Sequence, residues 1–233
     1  MWVIIVILLC ASGSKAEDVC ENDAFDMCSK YQPTEVPENV EELKECLHSM
    51  LKFYECLKDY EDSCPEIVLQ EGEYDSIRSV ITDISTEGTH LNSIVTANFQ
   101  CLLDAIRNRV INYQTRRAII TAFREYENVS YVNEEISEKD ASDQTQWDRN
   151  MLKKEMCLFW FDDMGSIVNS ITTQCGEAVE DAVIEIIHRS YYLNKGCSAQ
   201  DVLELRNILE ELNLDQSNKA SLRESFRLLG KSE

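Results

Sequence analysis

Cys46 and Cys56 stand ten positions apart in the stretch from Val40 to Cys64, where Val40, Leu43, Leu47, Met50, Tyr54 and Leu57 recur every three or four residues. That spacing is one buried face of an amphipathic helix. At a rise of about 1.5 Å per residue the two cysteines lie roughly 15 Å apart along it. A disulfide needs Cα atoms within about 7 Å. A continuous helix therefore forbids a bridge between them, and each must reach another segment or stay reduced. Cys28, Cys64 and Cys101 are the nearest candidates in sequence, so Cys46 and Cys56 are expected to tie this helix, as a post, to its surroundings. Asn39 suits the N-cap of the post and Pro65 stops anything continuing past Cys64.

The first residues, MWVIIVILLCASGSKA, form an apolar run ending in small residues, with Ser14 and Ala16 where a signal peptidase prefers them. The run from Trp2 to Ala11 is far short of the roughly 20 residues that span a membrane. Residues 1–16 thus read as a signal peptide and the product as secreted and extracellular. Cleavage after Ala16 leaves nine cysteines: Cys20, Cys28, Cys46, Cys56, Cys64, Cys101, Cys157, Cys175 and Cys197. In an oxidising compartment an odd number predicts up to four bridges, with the ninth either a buried thiol or a link to another chain, as in a disulfide-linked homodimer. The mature chain has 21 basic against 43 acidic residues, a net charge of −22. Nucleic acid and anionic membrane surfaces repel such a protein and are not expected partners.

Only seven glycines and three prolines occur, and the prolines flank the post. Such sparse punctuation favours helices. Apolar stripes at Ile77–Ile84, Leu91–Val110 and Ile119–Phe123, and later at Val179–Ile187, Val202–Leu212 and Leu222–Leu229, predict an all-α, disulfide-reinforced bundle of about seven or eight helices. Ser198 and Asp201 resemble a capping box. Periodicity disappears over 128–146, where NEEISEKDASD carries five acids and one lysine. The expected plan is an N-terminal cysteine-bearing region at 17–127, an acidic loop or linker at 128–146, and a C-terminal helical region at 147–233, packed as one domain or two. Asn128, Val129 and Ser130 form an N-glycosylation sequon at the start of that loop, which predicts a glycan on Asn128.

Chemistry is sparse. His48, His90 and His188 lie far apart, with no zinc-protease helix, nucleophile elbow or paired cysteine metal spacing around them. The neighbouring acids Glu41 and Glu42, or Asp162 and Asp163, do not face each other on a helix, whereas acid–base catalysis sets two carboxylates across a cleft. No enzyme, cofactor or metal is expected. The dibasic Arg116–Arg117 suits a processing site but sits inside a helical pattern that cleavage would break. In the all-round apolar run MCLFWF, Leu158, Phe159, Trp160 and Phe161 are either core or the lining of a cavity for a small hydrophobic ligand.

ELKECLHSMLKFYECLKDYED, followed by NSIVTANFQCLLDAI, resembles the insect hemolymph glycoprotein family over the span from Cys28 to Ile106. The resemblance implies a small secreted helical protein with a signal peptide and several disulfides, and brings no catalytic residues. The expected function is a non-enzymatic extracellular protein acting by binding or as a bulk component of hemolymph or a secretion. The alternatives are a carrier of a small hydrophobic ligand and a structural, disulfide-linked component of a secreted material.

Overall fold

The computed structural model describes residues 20, 22–64, 68–108, 113–133, 141–191, 193 and 197–230. The expected signal peptide at 1–16 lies outside them. Helix α1 (Ala24–Cys28) is capped by Asp23, whose carboxylate accepts from the N–H groups of Phe25 and Asp26. The post follows as α2 (Val40–Ser63). Asn39 does cap it: its Oδ1 accepts from Glu41 and Glu42 N–H, and the Glu42 carboxylate reaches back to Asn39 Nδ2 and Glu38 N–H. These contacts satisfy donors that a helix start otherwise leaves open. The remaining helices are α3 (Glu73–Ser85), α4 (His90–Ala97), α5 (Phe99–Arg107), α6 (Tyr113–Asn133), α7 (Ala141–Cys175), α8 (Glu177–Arg189), α9 (Ala199–Ile208) and α10 (Gln216–Leu229).

The all-α class holds, but the helix count does not: the described residues form ten α-helices and a short 3-10 turn at Ser29–Tyr31, against an expected seven or eight. One added helix has a definite cause. The stripe from Leu91 breaks at Asn98, whose backbone N–H and side-chain Nδ2 both donate to the Ile94 carbonyl, at 3.1 and 2.8 Å. A side chain that competes for backbone acceptors in this way ends a helical run.

The chain forms two interleaved compact units: unit 1 is Met1–Asn108 with Ser170–Tyr191, and unit 2 is Arg109–Asn169 with Tyr192–Glu233. Of the expected acidic loop, residues 128–133 end α6 and 141–146 begin α7, while 134–140 lie outside the described residues. Apolar periodicity reports burial and not helicity, so a polar helix end reads as a loop from sequence.

In unit 1 the core collects Leu47 and Leu57 of α2, Ile77 and Ile81 of α3, Leu91 of α4 and Leu103 of α5, all nearly inaccessible. Gly72 and Gly88 take positive φ, 77° and 86°, in the turns leading into α3 and α4, a conformation that glycine adopts without strain. In unit 2, Ile119 and Phe123 of α6, Leu158 and Phe161 of α7, Leu205 of α9 and Phe226 of α10 are buried together, each at 1% exposure or less.

Candidate functional site

The cysteines account for much of the architecture. Cys28 bridges Cys56 with Cα atoms 5.7 Å apart, tying α1 to the post, and Cys20 bridges Cys64 at 5.5 Å. Cys101 of α5 meets Cys175 at the end of α7, 5.8 Å apart, within unit 1. Cys157 of α7 meets Cys197, just before α9, at 5.0 Å within unit 2. Of the two post cysteines, Cys56 is thus a tie, and none of these four bridges among the described residues includes Cys46. Cys46 is only 8% exposed and stands on the stripe of Leu43, Leu47 and Met50, facing the core, whereas Cys56 is half-buried and can reach α1.

The titratable candidates are not gathered. His48 and His90 are exposed on α2 and α4, and His188 is half-buried on α8 with its Nε2 buried and without a hydrogen-bond partner among the described residues. No group of three or more histidines, cysteines or carboxylates that could hold a metal occurs among the described residues. Glu41 pairs with Lys44 at 3.4 Å and Glu42 serves the cap of α2.

Two motifs absorb each other. Arg116, half of the dibasic pair, binds Asp163 at 2.5 Å and Asp162 at 3.5 Å, and its guanidinium lies 4.2 Å from the centroid of the Phe159 ring. Farther along the same antiparallel helix pair, Arg124 forks onto both oxygens of Glu155, and Lys154 sits between Glu127 of α6 and Glu204 of α9. This ladder joins helices. It does not set two carboxylates of differing environment across a cleft.

The aromatic run on α7 is divided among different surroundings. Leu158 and Phe161 are core, Phe161 with its ring 4.7 Å from that of Phe226. Phe159 lies under Arg116, and Trp160 is half-buried. An apolar cavity exists elsewhere, in unit 1, with a volume of about 60 Å³. Leu47, Ile84, Val95, Phe99, Leu103 and Ile186 are among its lining, which consists of leucine, isoleucine, valine and phenylalanine throughout. Each residue lies on a stripe or run legible in the sequence, but their convergence from five helices is a tertiary fact. The cavity exceeds the roughly 10–15 Å³ that one water needs, yet it offers water no partner.

Asn128 is exposed, as a glycan acceptor must be, but it stands on α6 and not at the start of a loop. Among the described residues no helix is long and apolar enough to cross a membrane. No family model, no curated protein and no solved structure matches the chain.

Proposed function

We propose that the protein is a secreted, non-enzymatic extracellular protein that works by binding, in hemolymph or a comparable secretion. The observation that carries the reading is the cavity of unit 1, an apolar space of about 60 Å³ with no polar or reactive side chain in its wall. Such a space takes up an apolar group by excluding it from water and has nothing with which to activate it. Four disulfides, distributed over both units, support an oxidising compartment. The size of the cavity favours a small alkyl group over a bulky lipid, whose pocket would need about 300 Å³ or more. The ninth cysteine gives no support to a disulfide-linked material, since Cys46 is buried in the post.

Native mass spectrometry of the secreted protein after gentle purification tests this reading. The expected result is a small apolar adduct that is absent from a Val95→Phe variant, in which the cavity is filled from α4. A protein free of adduct, which also takes up no added short-chain alkane, is a bulk component and not a carrier.

A further inference from the structure

Five large apolar side chains stay exposed among the described residues, and two of them share one helix face: Leu152 and Met156 of α7, 58% and 44% exposed and one turn apart. The pairing of α6 with α7 shows what stands beside them. Arg124 of α6 forks onto Glu155, and Glu127 meets Lys154 at 3.6 Å, so residues later on α6 sit level with residues earlier on α7. Asn128 comes one turn after Arg124 on the same stripe of α6. Leu152 comes about one turn before Glu155 on α7. The antiparallel register therefore sets Asn128 level with Leu152. Asn128 is exposed, and it opens the sequon of Asn128, Val129 and Ser130.

We infer that Asn128 carries an N-linked glycan whose first sugars lie over Leu152 and Met156 and screen this apolar face of α7. An N-acetylglucosamine presents a face of C–H groups and an acetyl methyl to such side chains while its hydroxyls turn to water. Contact of this kind takes apolar surface out of water without recruiting another chain, and the sugar itself is bulky and solubilising. A second copy of the protein is the competing occupant. With 21 basic against 43 acidic residues in the mature chain, self-repulsion opposes it. The inference rests on the secreted reading above, because the sugar is transferred in the secretory lumen, and not on the cavity of unit 1. Transfer to the entering chain precedes the pairing of α6 with α7, so a helical setting is no obstacle.

The test is the full chain secreted from eukaryotic cells, compared with the same folded protein after enzymatic removal of N-glycans and with Asn128→Gln and Ser130→Ala. The intact mass should exceed that of the polypeptide by one glycan, absent from both variants. Hydrogen peroxide then reads the cover, since methionine oxidation follows exposure: peptide mapping should show Met156 oxidised about threefold faster once the glycan is gone, by enzyme or by substitution. Met27, on α1 of unit 1, should keep its rate. Enzymatic removal gives the answer even where a substitution impairs folding. Secretion at the bare polypeptide mass, or a Met156 rate that removal of the sugar leaves unchanged, overturns this inference alone. If that unchanged rate comes with a dimer in sedimentation, the face belongs to a second copy. A chain kept in the cytosol with its leader uncleaved overturns the secreted reading as well.

Discussion

Positions 46 and 56 carry the same residue on the same helix, and their burial decides what each does. Cys56 lies where α1 can reach it, while Cys46 packs beside Leu43, Leu47 and Met50 as a small apolar side chain. Cys56→Ala should therefore cost about 2 to 5 kcal/mol through the lost bridge. Cys46→Ala should cost about 1 kcal/mol, the ordinary size of a buried truncation. Thermal melting of the two variants checks the ranking, and equal losses would mean that Cys46 also has a covalent partner. The sequence excludes a 46–56 bridge by length alone, but which cysteine is tied depends on the neighbour opposite each face. A second residue on the post, Tyr54, is 7% exposed, and burial, with the negative charge of Glu73 adding to it, pushes its phenol above the ordinary 10.0. A raised native value favours the protonated form in the fold. Its contribution is complete below pH 10.0 and lost as the pH climbs beyond it. Following phenolate absorbance through an alkaline titration, Tyr54→Phe should remove one late-titrating group and flatten the loss of stability above that pH.

At the scale of elements, α7 and α10 touch where both sequences go small. A Cβ placed on Gly165 would stand 1.8 Å from Ser225 Oγ, 2.6 Å from its Cβ and 3.3 Å from its Cα. Because backbone as well as side chain is in the way, the helices must move apart to admit even alanine. Gly165→Ala should destabilise unit 2 by about 1 to 3 kcal/mol, as overpacking does. Trimming Ser225 to alanine leaves the Cβ contact and should not rescue it. Denaturant midpoints of both singles and the double variant settle this, and full rescue by Ser225→Ala would place the clash in the hydroxyl alone. The glycine is visible in the sequence inside an apolar helix, but its partner sixty residues on is not. Local signals fared better. The Ser198–Asp201 capping box forms, with Asp201 N–H donating to Ser198 Oγ at 3.1 Å and Ser198 N–H donating to Asp201 Oδ2 at 3.0 Å. It depends only on residues three apart. The ladder of Arg116, Arg124 and Lys154 links residues roughly thirty to fifty apart, and nothing in either segment alone announces it.

At the scale of the whole molecule, acid should act on the two units unequally. Asp201, Glu204, Glu210, Asp215 and Glu224 all have carboxyls held below their ordinary values, and all five belong to unit 2. Burial alone would raise Asp201, but the Ser198 hydroxyl and N–H and the Lys153 ammonium outweigh it. Gln200 and Lys154 draw Glu204 down, and hydrogen bonds within the α10 cap, led by the Asn218 N–H, draw down Asp215. A carboxyl with a depressed native value binds protons more readily in the unfolded chain. Its contribution is present above the unfolded values of 3.8 for aspartate and 4.5 for glutamate, and fades as the pH falls through the native ones. Most of these groups are well exposed, so each contributes little and the effect is collective. The sequence supplies a selective probe: apart from Trp2 in the expected leader, both tryptophans, Trp147 and Trp160, lie in unit 2. Below about pH 4, tryptophan emission should report loosening of unit 2 while far-ultraviolet circular dichroism still retains the helices of unit 1, which three disulfides brace. Asp201→Asn combined with Glu204→Gln should lower the neutral melting point and shrink the difference between neutral and acid melting. If both signals move together, and the double variant keeps the wild-type acid response, these carboxylates do not govern the stability of unit 2.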